Sequence, residues 1–198
     1  MKPSKSILAS ILAVAMFATA CSTSWVTEAI AITNAILPVA VNIIQLVTAL
    51  QGTAAASNDT TLAQKWANTV TADLTTLQTL LNQYNAAAAG AKPGKLGRIE
   101  TAIQATQNDL GTLLPALHIA NPQTVAKITA IVGLISGELQ SIEALVQAVR
   151  GPKTSAWHNL SFQRPMSAKE FNVAYKMLIK SPSGYAPLDA ATRALALP

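Results

Sequence analysis

The stretch from Pro122 to Arg150 limits the fold more than any other part of this chain. Val125, Ile128, Val132, Ile135, Leu139, Ile142, Val146 and Val149 recur at steps of three and four. That is the repeat of one face of an α-helix, not of a strand. Asn121-Pro122 supplies a cap residue followed by proline at the first helical position, and Gly151-Pro152 ends the segment. Small residues lie almost opposite on the helical wheel: Ala126, Ala130, Gly133, Gly137, Ser141, Ala144 and Ala148. Glycine costs about 1 kcal/mol relative to alanine in a helix interior. Two of them one turn apart therefore point to close packing there, by the C-terminal tail, a second copy or a protein partner. A plain solvated alanine face is the alternative.

Three further segments carry the same periodicity. The first runs from about Trp25 to Gln51, with Ile30, Ile36, Leu37, Val41, Ile43, Ile44, Val47 and Leu50 apolar. Asn34, Pro38, Asn42 and Gln45 form one narrow polar stripe, which favours a buried bundle helix over a bilayer span of similar length. Pro38 is expected to kink this helix. The second runs from about Asp59 to Ala89 through Leu62, Trp66, Val70, Leu74, Leu77, Leu81 and Tyr84, with Trp66 as a core anchor. Gly90 to Lys95 reads as a break. The third runs from about Leu96 to Leu117 through Ile99, Ile103, Thr106, Leu110, Leu113 and Leu114, its second half weakened by Gly111 and Pro115. The expected fold is all-α: an up-down-up-down four-helix bundle over residues 21–152. A tail over residues 153–198 packs on it through its aromatics, Trp157, Phe162, Phe171, Tyr175 and Tyr185. In the tail, Ser167-Ala168-Lys169-Glu170 is a capping box for a short helix ending near Lys180, and Leu188 to Leu197 form another. Asp73-Leu74-Thr75-Thr76-Leu77 and Asp109-Leu110-Gly111-Thr112-Leu113 echo one another, too briefly to define a repeat.

The N-terminus places the chain in a compartment. Lys2 and Lys5 precede an apolar run from Ile7 to Phe17, followed by Ala18-Thr19-Ala20-Cys21. This is an export-signal pattern over residues 1–20. The small residues before the single cysteine resemble the processing box of bacterial lipoproteins, with Ala18 where that box favours leucine. The resemblance covers only these 21 residues. It implies cleavage before Cys21, diacylglycerol on its sulfur, further acylation such as palmitate, and attachment to the cell envelope. Ser22 in the next position suits the outer membrane, facing the periplasm. Ordinary secretory cleavage at the same residues and an uncleaved membrane helix are the alternatives. The apolar run is shorter than the roughly 20 residues a span requires, and a free exposed thiol in an oxidising compartment would be a liability.

Charge and motif content narrow the function. Charged residues make up 12% of the chain, against about 25% in typical domains. From Cys21 to Val149 acids slightly outnumber bases; from Arg150 onward seven bases face two acids. Lys153, Arg164, Lys169, Lys176 and Lys180 are candidate contacts for anionic lipid or a partner, or else they solvate a short helix. Nucleic acid is not an expected partner outside the cytoplasm. No metal or other cofactor is expected. His118 and His158 stand apart, outside any H-E-x-x-H pattern, and no C-x-x-C-H haem motif occurs. Ser136 lies within a helical pattern rather than on a nucleophile elbow. Glu138 and Glu143 are poorly spaced to share a face, so no paired carboxylates are expected, and an enzyme is not expected either. The leading expectation is a lipid-anchored, non-enzymatic scaffold or partner-binding module. A carrier of a small apolar ligand near Trp66 and Tyr84, and a membrane-active protein that inserts its first helix, are the alternatives.

Overall fold

The computed structural model describes the backbone of residues 5–50, 57–116, 119, 121–150 and 165–195, and their side chains from residue 25 onward except 57–60 and 113–114. The described residues form an all-α structure without strands. The six α-helices are α1 (Lys5–Leu50), α2 (Ser57–Asn85), α3 (Lys92–Ala116), α4 (Pro122–Arg150), α5 (Ala168–Lys180) and α6 (Ala186–Ala194).

The four long helices arise where the periodicity places them, with shifts at the ends. α2 stops at Asn85 rather than Ala89, and α3 starts at Lys92 rather than Leu96. The break therefore lies at Ala86–Ala88 and a short 3-10 turn, Ala89–Ala91. Pro93 falls in the first turn of α3, where its missing N–H is not needed. Gly111 and Pro115 do not end α3, which continues to Ala116. The final helix starts and ends earlier than expected, at Ala186 and Ala194.

α1 is the hub of the core. It packs against α2, α4, α5 and α6, burying Ile32, Ile36, Val39, Ile43, Leu46 and Val47. Its polar stripe is not uniformly buried: Asn34 and Gln45 are exposed, Pro38 is half-buried, and only Asn42 is enclosed. The helix is rotated so that Asn42 faces α5, where its Nδ2 donates to the Tyr175 hydroxyl at 2.9 Å. The α4 stripe from Ile128 to Val146 is buried, with Ile131 added. Trp25–Leu50 and Pro122–Arg150 are each long and apolar enough to cross a membrane by length and composition alone. Both direct their largest apolar residues into the shared core.

Specific pairs fix how neighbouring helices meet. The Trp25 and Tyr84 rings are 5.5 Å apart, and Gln78 bonds Asn34. The Trp66 indole Nε1 donates to the Asp109 carbonyl at 2.6 Å. Arg150 pairs with Glu100 at 2.7 Å, and Gln104 donates to Glu143 at 3.2 Å.

The tail helices lie on α1 and α4. Ser167 caps α5 in the expected box: its Oγ accepts the Glu170 N–H at 3.2 Å, while Glu170 Oε2 accepts the Ser167 N–H at 2.6 Å. Lys127 of α4, 7% exposed, donates through Nζ to the Leu178 and Ser181 carbonyls, each at 2.7 Å. It thus satisfies carbonyls at the end of α5 that lack partners within that helix. Burial lowers the pKa of its ammonium; the charge of Asp189 opposes that shift. Glu138, also buried, accepts the Met166 N–H at 2.9 Å. Desolvation raises its pKa, as does the nearby Glu170 charge, while the Met166 bond lowers it. Between α5 and α6 the chain turns through Gly184 at φ +77°, a conformation that glycine adopts without steric cost. Asp189 holds the turn through the Ser183 hydroxyl at 2.7 Å.

Candidate functional site

The end of the helix assembly nearest Cys21 brings together groups from three helices. Cys21 lies on the α1 backbone, and its side chain is outside the described residues. Trp25, one turn later, is already buried at 8% exposure. Its ring meets Tyr84 at 54°, and the Lys92 Nζ sits 5.1 Å from the Tyr84 ring centre, within cation–π range. The Trp25 N–H is buried and has no hydrogen-bond acceptor among the described residues. Burial raises the Tyr84 phenol pKa above its usual value. Lys95 and Arg98 follow Lys92 along α3, half-buried and exposed respectively. Helix N-termini favour acids, yet the first turn of α3 contains none.

The small-residue face of α4 is open. Ala126, Ala130, Gly133 and Gly137 are exposed, and Ser141, Ala144 and Ala148 are half-buried. A Cβ added at Gly133 or Gly137 would meet nothing within 4 Å. The described tail does not cover these two glycines; it docks on α4 through Lys127 and Glu138 instead.

Among the described residues, the candidate basic side chains of the tail lie along α5, away from Cys21. Lys153 and Arg164 lie outside the described residues, as do His118 and His158. Lys169 and Lys180 are exposed and Lys176 is half-buried along α5, whose outer face also exposes Val173 and Met177. Tyr175, between these lysines, meets Asn42, about 25 Å along α1 from Trp25 at roughly 1.5 Å per residue.

Sequence spacing missed a carboxyl pair. Asp73 of α2 and Asp109 of α3 face each other, which corrects the expectation of no paired carboxylates. They sit on different helices, 36 positions apart, and only the packing of α2 on α3 joins them. The short echo contained the signal, because both motifs begin with these aspartates. Burial comes first among the causes that push the Asp73 carboxyl up to about 6, with the hydrogen bond and charge of Asp109 adding to it. Asp73 Oδ2 is buried without a donor, so a bond to Asp109 there requires a shared proton. Grooves of about 450 Å³, lined by Asp73, Leu80, Gly97 and Arg98, and about 260 Å³, lined by Leu62, Trp66, Asp109 and Thr112, flank the pair. Among the described residues, no group of three or more His, Cys, Asp or Glu side chains is placed to hold a metal.

The pair has a calculable pH signature. The folded Asp73 keeps its proton to about pH 6, whereas the reference carboxyl titrates at 3.8. Between these values the native state binds more protons, so this contribution to stability is complete below pH 3.8 and lost as pH rises through about 6. Asp73→Asn is expected to stabilise the protein by about 1 kcal/mol at pH 7–8, the full shift being reduced by solvent screening. The gain should vanish near pH 4, and urea unfolding at several pH values measures it.

No family model, curated protein or solved structure matches the chain.

Proposed function

We propose that this protein is a lipid-anchored lipoprotein of the bacterial cell envelope, attached through Cys21, and that it works as a non-enzymatic scaffold or partner-binding module. In this reading the mature chain is an up-down-up-down four-helix bundle of α1 to α4, with α5 and α6 packed on its flank. The pairings Trp25–Tyr84, Trp66–Asp109 and Glu100–Arg150 support that order.

One observation carries the reading: Trp25, only four positions after the thiol, is already part of the buried core. Acyl chains on Cys21 would hold the bundle directly at the membrane surface, without a flexible linker. α1 is committed to contacts with α2, α4, α5 and α6, so the anchor, rather than insertion of α1, supplies attachment. Trp66 and Tyr84 are occupied by core packing, which does not favour a ligand carrier. Mass spectrometry of Cys21 in the native host tests the anchor: lipid on the sulfur supports it, and an unmodified thiol overturns it.

The open α4 face is the surface this reading offers to a partner. Gly133→Ala and Gly137→Ala should each raise stability by up to about 1 kcal/mol, because alanine favours helix and the added methyl meets open space. If the face binds a protein closely, the same changes should weaken the complex recovered by envelope cross-linking. Thermal melting and cross-linking of the double variant measure the two effects separately.

A further inference from the structure

The geometry points to a membrane-docking face at the Cys21 end of the helices, formed by Lys92, Lys95 and Arg98 and held beside the tether by the buried Trp25 and Tyr84; this face binds anionic lipid headgroups and sets the protein upright on the bilayer. This inference rests on the lipid-anchor reading and adds an orientation to it.

Three observations carry it. The first is position. Cys21 precedes Trp25 by one helical turn, about 6 Å at roughly 1.5 Å per residue. Trp25 touches Tyr84, and Tyr84 touches Lys92, so the start of α3 is held beside the tether. The second is charge. Lys92, Lys95 and Arg98 occupy the opening turns of α3, and Arg150 joins them by its pair with Glu100. That pair neutralises Glu100; Glu28 is the other acid on the first turns of α1 after Cys21. The third is a local rule broken. Bases in the first turn of a helix oppose its dipole. Lys92 and Lys95 bear this conflict in the first turn, and neither they nor Arg98 have a carboxylate partner among the described residues. An anionic surface would offset it, and Lys and Arg contacts there each strengthen attachment several-fold. The buried aromatic pair fixes where these bases stand relative to the tether.

The α5 lysines are the contrasting set. Tyr175, in the middle of α5, stands about 25 Å from this end, and its flanking lysines, within about 9 Å of it along the helix, stay beyond the ~8 Å screening length at physiological salt.

The test uses the chain from Cys21 to Pro198, with one acyl chain attached as a thioether to Cys21, its single thiol. One chain alone gives marginal, reversible binding, with an association constant of about 10⁴ M⁻¹. Partitioning is measured onto phosphatidylcholine vesicles and onto vesicles containing one-third phosphatidylglycerol. Anionic vesicles are expected to bind on the order of 100-fold more tightly. Lys92→Gln/Lys95→Gln/Arg98→Gln should lose most of that preference, and Lys169→Gln/Lys176→Gln/Lys180→Gln should keep it. The first triple variant relieves the dipole conflict and should melt no lower than the parent. Equal binding to both vesicles, or equal losses in the two triple variants, overturns the proposal. The thioether supplies the anchor chemically. An unmodified Cys21 in the host would therefore refute the anchor reading while leaving the docking result to stand or fall by itself.

Discussion

Tyr175→Ala is expected to cost about 3–5 kcal/mol and to release α5 from the rest of the protein. Tyr175 is fully buried (0% exposed), on a helix of only 13 residues. A helix that short is marginal alone in water, so its stability comes from what it covers. Phe171, Tyr175 and Ile179 form its buried stripe against α1 and α4. Burial raises the Tyr175 phenol pKa, and the Asn42 hydrogen bond opposes that shift. Removing the whole ring deletes the centre of the stripe and the hydroxyl that Asn42 donates to. Tyr175→Phe isolates the second loss and should cost about 1–2 kcal/mol. Urea unfolding gives the energies. Limited proteolysis gives the location: cleavage within residues 165–195 should appear before cleavage in α2 or α3. An alanine variant that loses less than about 1 kcal/mol would mean that α5 contributes little to the folded state.

Trp66→Ala should cost about 3 kcal/mol, at the lower end of the range for deleting a large aromatic ring. The ring is 7% exposed and joins α2 to α3 by packing and by its N–H to the Asp109 carbonyl. The groove lined by Leu62, Thr69, Asp109 and Thr112 adjoins it, so water can enter the vacated space and no dry cavity remains. Trp66→Phe keeps most of the packing and loses the donor, for about 1 kcal/mol. Because Trp66 and Asp73 both act through Asp109, Trp66→Ala combined with Asp73→Asn should depart from additivity. Urea unfolding of the two single variants and the double variant measures that coupling.

The helices were legible because their signals are local. The α4 stripe, the Asn121-Pro122 start and the Ser167–Glu170 capping box each need only a few neighbouring residues. Trp66 as an anchor followed from its place in the α2 stripe. What escaped the sequence depends on how one helix is set against another. Lys127 reads as an ordinary surface charge until α5 brings two carbonyls to it. Asp73 and Asp109 become a pair only through the α2–α3 register. The level of the α5 lysines was hidden for the same reason: charge can be counted along the chain, but the level at which α5 docks cannot. The Trp25–Tyr84–Lys92 cluster was hidden because its members belong to three segments, each explicable alone as core or as break.

Asn42 and Tyr175 are 133 positions apart, yet they share one hydrogen bond. The opening helix therefore stays incompletely covered until the segment around Tyr175 has been synthesised. Through that wait a long apolar surface is left available to wrong neighbours, and such late long-range closure slows assembly. Clipping the final stretch of chain should consequently be felt first in the earliest-made helix, at the opposite extreme of the sequence.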